Sequence, residues 1–64
     1  MDDLTGTLDA IWRIEGARVV ATLARITGDL GEAEDFAQEA LAEALTTWST
    51  SGVPRNPGAW LTAV

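Results

Sequence analysis

The sequence predicts an all-α fold: an antiparallel helical hairpin followed by the start of a third helix. Three observations carry this. Apolar residues recur at steps of three, four or seven along two long stretches, and turn residues fall between them rather than within them. Asn56 followed by Pro57 then opens a last stretch in the manner of a capped helix start.

The first helix is expected over residues 7–27, where Leu8, Trp12, Val19, Leu23 and Ile26 form one apolar stripe. Thr5 or Thr7 supplies its N-cap, and Asp9 in the first turn complements the helix dipole. Gly16 lies on the stripe and costs about 1 kcal/mol of helix propensity against alanine. Close approach of a neighbouring helix backbone is the expected reason for it.

"TGDLGEAED" ends that helix and begins the next. Gly28 suits the left-handed residue after a helix, and Asp29 with Glu32 forms an Asp-x-x-Glu variant of the capping box. So short a connection makes the two helices antiparallel neighbours.

The second helix is expected over residues 30–48. Ala33, Phe36, Ala37, Ala40, Leu41, Ala44, Leu45 and Trp48 span about half its circumference at roughly 100° per residue. One neighbouring helix cannot cover that arc. Its alanine centre permits tight approach to the first helix, and Leu41 and Leu45 occupy one margin beside Glu34 and Gln38. Glu32, Asp35, Glu39 and Glu43 fill the other side.

Residues 49–57, "STSGVPRNP", read as a turn-rich connector, and a third helix is expected over 57–64. Trp12, Trp48 and Trp60 fall one per helix and are expected to meet in a shared aromatic core. Trp60 and Leu61 are expected to anchor the third helix against the first two, with the end of the chain fraying or seeking a neighbouring molecule.

Composition excludes several classes of function. The 64 residues contain no cysteine and no histidine, which removes disulfides, thiolate metal sites and the common zinc arrangements. No lysine or tyrosine is present either, and no glycine-rich phosphate loop, so an enzyme is not expected. Asp35, Glu39 and Glu43 step by four as carboxylate metal ligands do. The Glu-x-x-His element that accompanies them in di-iron bundles is missing, and a solvated acidic face is the better reading. No cofactor and no metal are implied.

Ten acids against four arginines give a net charge of −6, the wrong sign for unaided binding to a phosphate backbone. A basic protein partner fits better. The acidic N-terminus is unlike a signal peptide and no apolar run reaches the ~18 residues of a membrane span, so a cytoplasmic location is expected.

"LARITGDLGEAEDFAQEALAEALTTW" followed by "GVPRNPGAWLTAV" resembles region 2 of bacterial RNA polymerase sigma factors of the extracytoplasmic-function (ECF) class. The similarity runs from about Ile11 to Val64, and its ordered pair of motifs is "AED-x-x-QEA" and "GVP-x-NP-x-x-WL". The resemblance implies that residues 1–64 are a partial region 2 domain, the fragment of a larger factor. It implies docking on the clamp coiled coil of the polymerase β′ subunit through Asp35, Gln38 and Glu39, with Leu41, Ala42 and Leu45 as adjoining apolar contacts. Gln38 and Ala42 adjoin the margin of Leu41 and Leu45; Glu39 sits further round.

The resemblance further implies that Arg55 and Asn56, in the connector, help capture a flipped base of the melted promoter −10 element. The Arg-rich continuation that reads the strand would follow Val64, so promoter DNA is a partner of the intact protein only. The resemblance implies regulation by an anti-sigma factor that occludes this surface or, in its place, by a C-terminal extension. The rival expectation is a small acidic helical interaction or dimerisation module with no nucleic-acid role, in which the wide apolar arc of the second helix self-associates.

Overall fold

The computed structural model describes residues 3–63. Three helices follow in order, α1 at Asp3–Thr27, α2 at Leu30–Ser51 and α3 at Pro57–Ala63, with no strand among the described residues. At about 1.5 Å per residue, the 25-residue α1 accounts for the 36 Å long axis of the molecule. Val64, placed in the third helix by the sequence, lies outside the described residues, as does any fraying there.

Thr5 and Thr7 are not caps. They lie inside α1, which begins four residues earlier than the stripe suggested. The cause is Leu4, which packs against the core one turn before the buried Leu8. Burying it is worth more than starting the helix at a threonine. Asp3 then takes the first-turn acidic position assigned to Asp9.

The α1–α2 turn is built as the sequence indicates, with one change of partner. Gly28 has φ +76° and donates its N–H to the Ala24 carbonyl at 2.7 Å. Asp29 caps α2 by accepting from the Glu32 N–H at 2.9 Å. The reciprocal arm of the box is not Glu32: the Asp29 N–H donates to Thr27 Oγ1 at 3.2 Å, and that hydroxyl donates to the Asp29 carbonyl at 3.0 Å. A threonine two residues back satisfies the donor locally and leaves Glu32 to solvent.

The buried core comprises Leu8, Val19 and Leu23 from α1, Ala33, Ala37, Ala40, Ala44 and Trp48 from α2, and Leu61 from α3. The alanine stripe of α2 is at most 2 % exposed, as expected of the centre of its arc. Leu61 is 1 % exposed and Trp60 packs half-buried against the core, so a seven-residue helix, too short to stand alone, is anchored by these two residues as expected.

Two apolar positions depart from the expected stripes. Phe36 is 45 % exposed because it lies beyond the alanine edge of the arc, on the side of Glu39 and Glu43. Ile26 is 71 % exposed and lines an open groove between α1 and α3 instead of filling the core.

Gly16 is buried for a different reason from the one expected. A Cβ there would stand 2.8 Å from Cε2 of Trp12, so the glycine makes room for an indole of its own helix, not for a neighbouring backbone. The three indoles accordingly divide. Trp48 and Trp60 meet edge to face, with ring centroids 5.1 Å apart and planes at 67°, while Trp12 lies over Gly16 at the margin of the core.

α2 runs to Ser51, past the expected end at Trp48. Hydroxyls of Ser49 and Ser51 donate back to the Thr46 and Thr47 carbonyls at 2.7 and 3.0 Å, which keeps these residues helical. Gly52, at φ +87° and ψ +167°, stops the helix with its N–H on the Trp48 carbonyl at 2.9 Å. The connector therefore contracts to residues 52–56.

α3 begins as the sequence indicates. Asn56 Oδ1 accepts from the Ala59 N–H at 3.2 Å and the Asn56 carbonyl from the Trp60 N–H at 3.1 Å, with Pro57 at the first helical position.

Candidate functional site

The core takes one side of α2 and leaves a usable margin beside it. Gln38, Leu41, Ala42 and Leu45 stand at i, i+3, i+4 and i+7, which places them on one strip of the helix surface. Leu41 is half-buried and helps seal the core edge; Gln38 and Ala42 are exposed, and Leu45 is 41 % exposed. Asp35 is exposed and follows Ala42 around the helix by about 20° at 100° per residue. The structure thus brings five of the six expected α2 residues onto one strip. Glu39, about 100° beyond Gln38 and about 40° beyond Asp35, lies past the edge of the strip, next to Glu32 and Glu43.

The electrostatics of this helix are one-sided. α2 carries Glu32, Glu34, Asp35, Glu39 and Glu43 and no basic residue. The ion pair found among the described residues is on α1, between Arg13 and Asp9 at 3.1 Å, with both side chains largely exposed. The α2 carboxylates are left for solvent or for a cationic partner.

The α2 strip borders a small cleft that sequence reasoning did not single out. Leu8 and Trp12 of α1 and Leu41 and Leu45 of α2 form its walls, Thr5 and Asp9 its rim, and its volume is about 240 Å³. The α1 wall was legible, since Thr5, Leu8, Asp9 and Trp12 are themselves spaced i, i+3, i+4, i+7. Leu8 and Trp12 also belong to the core stripe, and Thr5 and Asp9 stand where an N-cap and a first-turn acid are expected.

Arg55 and Asn56 are both exposed in the connector. Asn56 is already employed as the cap of α3, so its carbonyl oxygen is engaged within the fold. It also lines the α1–α3 groove of about 490 Å³, together with Glu15, Arg18 and Thr22. Arg18 was missed as a neighbour of the connector, because only the packing of α3 along α1 brings them to one groove. The groove has no buried ionisable group, and no three carboxylates among the described residues are placed to share a metal ion. No helix among them is long and apolar enough to cross a membrane.

No curated protein and no solved structure matches the chain. The family model described as Sigma-70 region 2 does, over residues 11–64, well over half of the sequence, from within α1 through α2 and α3. The chain belongs to the sigma-70 region 2 family, a non-enzymatic domain of factors that act with the RNA polymerase core in transcription initiation.

Proposed function

We propose that the chain is region 2 of a bacterial sigma factor of the ECF class and that its α2 strip docks on the clamp coiled coil of the polymerase β′ subunit. Gln38 and Asp35 supply polar contacts, Leu41, Ala42 and Leu45 the apolar ones. Glu39, further round, contributes charge at the edge of the contact rather than a central hydrogen bond. The observation that carries this reading is the strip itself: Leu45 is 41 % exposed beside Gln38 and Ala42, apolar surface that the core leaves uncovered. An acidic helix without a single base suits a basic helical partner.

Within a complete factor, the connector with Arg55 and Asn56 would face the single strand of the promoter −10 element. At a net charge of −6 these residues alone bind promoter strands weakly, so polymerase docking comes first. An anti-sigma factor or a C-terminal extension that covers the α2 strip would silence the factor by competition. No cofactor enters this function.

The second reading uses the same exposed Leu45. A dimerisation module would bury it against another copy of the chain. Titration of the chain with the β′ clamp coiled coil separates the two. Saturable binding that Leu45→Arg and Ala42→Arg abolish supports docking; absence of binding at low salt, with a concentration-dependent dimer in sedimentation, supports self-association.

A further inference from the structure

The cleft between the first half of α1 and the second half of α2 adjoins the strip just assigned to docking. We infer that it is an anchor pocket for one branched apolar side chain of the basic coiled coil, so that the docking surface extends from α2 onto α1. This inference rests on the docking reading above and names the part of the partner that the site receives.

Size comes first. At about 240 Å³ the cleft is smaller than the roughly 300–1,000 Å³ of small-molecule sites, and an aliphatic side chain suits it better than a cofactor. Its walls are the apolar Leu8, Trp12, Leu41 and Leu45, with only Thr5 and Asp9 as polar rim. Interfaces concentrate their energy where such an anchor enters an apolar pocket lined by an aromatic side chain.

Continuity comes second. Leu41 and Leu45 are at once the α2 wall of the cleft and members of the strip with Gln38 and Ala42. A helix laid along that strip passes over the mouth of the cleft. Charge selects the partner: α2 offers five carboxylates and no base, and the rim acid Asp9 already holds a guanidinium, that of Arg13, at 3.1 Å. A basic helix satisfies the acids that flank its own anchor. A second copy of this acidic chain brings its own α2 acids toward them.

The wall is also held in place. Gly16 lets the Trp12 indole lie back on α1, since a Cβ there would stand 2.8 Å and 2.9 Å from two of its ring atoms. The buried glycine in the middle of α1 thereby acquires a role in shaping the pocket.

The test is titration of the full 64-residue chain, labelled with 5-fluorotryptophan, with the β′ clamp coiled coil. Fluorine spectra separate Trp12 from Trp48 and Trp60, with Trp12→Phe as the assignment control. The inference predicts that the Trp12 resonance shifts on saturation. It also predicts that Thr5→Phe, which fills the cleft without changing charge, weakens binding about tenfold, while Thr5→Ser stays within about twofold. The spectrum of the unsubstituted chain reads the outcome even if Thr5→Phe disturbs folding. If Leu45→Arg abolishes binding but the Trp12 resonance stays fixed, the docking reading stands and the α1 anchor is overturned. A Trp12 shift that follows the concentration of the chain itself, without coiled coil, overturns it in favour of a second copy. No binding by the unsubstituted chain overturns the docking reading, and the anchor with it.

Discussion

The Glu15 side chain of α1 lies against Gly58 of α3, so close that a Cβ on residue 58 would stand 2.8 Å from Oε1. This contact and the burial of Leu61 about one turn further along the same short helix explain how α3 sits on α1: a glycine admits the carboxylate, and a leucine holds the helix down. Gly58→Ala should change stability by no more than about 1 kcal/mol, because the displaced atom ends a flexible chain and alanine favours the helix. Chemical denaturation checks this.

Gly16→Ala should behave differently although it too is a helical glycine. Its Cβ would meet the rigid indole of Trp12 at 2.8 and 2.9 Å, and the ring has no free end to swing away. A loss of about 1–3 kcal/mol is expected despite the better propensity of alanine. Combining it with Trp12→Leu should recover part of the loss, a coupling that a double-mutant cycle measures directly.

Gly52→Ala should cost about 1–3 kcal/mol. With φ +87° and ψ +167°, the residue occupies backbone territory that side chains avoid, and nothing crowds the missing Cβ. Strain, not contact, is the cause, so Gly52→Asn should offer little relief. Thermal unfolding of the two variants reads the difference.

Leu61→Ala should cost about 2–5 kcal/mol and release α3. Leu61 is 1 % exposed and is the deeply buried side chain of a helix only seven residues long. Loss of α3 also breaks the edge-to-face contact of Trp48 with Trp60, which are 5.1 Å apart. Near-ultraviolet circular dichroism should therefore fall with stability. Trp48→Phe is a useful contrast: it removes a buried indole N–H that has no hydrogen-bond partner, which offsets part of the lost packing.

The helical periodicities, the Gly28–Asp29 turn and the Asn56–Pro57 start were legible because each is written in neighbouring residues. What was not legible depended on partners far along the chain. The sequence could not show that Leu4 would find the core and carry α1 past Thr5 and Thr7, nor that Ser49 and Ser51 would bond back and lengthen α2. Gly16 pointed correctly to close contact but not to its partner, since an indole four residues back competes with any neighbouring helix. For the candidate site, the strip of Gln38, Leu41, Ala42 and Leu45 was visible on a helical wheel. The cleft beside it was not, because two leucines of one helix become a pocket only when Leu8 and Trp12 of another face them.

The most direct measurement of the central claim is the affinity of the chain for the β′ clamp coiled coil at low and raised salt, with and without Leu45→Arg. Leu45 is 41 % exposed, so an arginine there leaves the fold intact while it places a cation against a basic partner. The account predicts saturable binding that weakens as salt screens the α2 acids and that Leu45→Arg abolishes without loss of helicity. Binding that is indifferent to Leu45→Arg, or no binding at low salt, would contradict it.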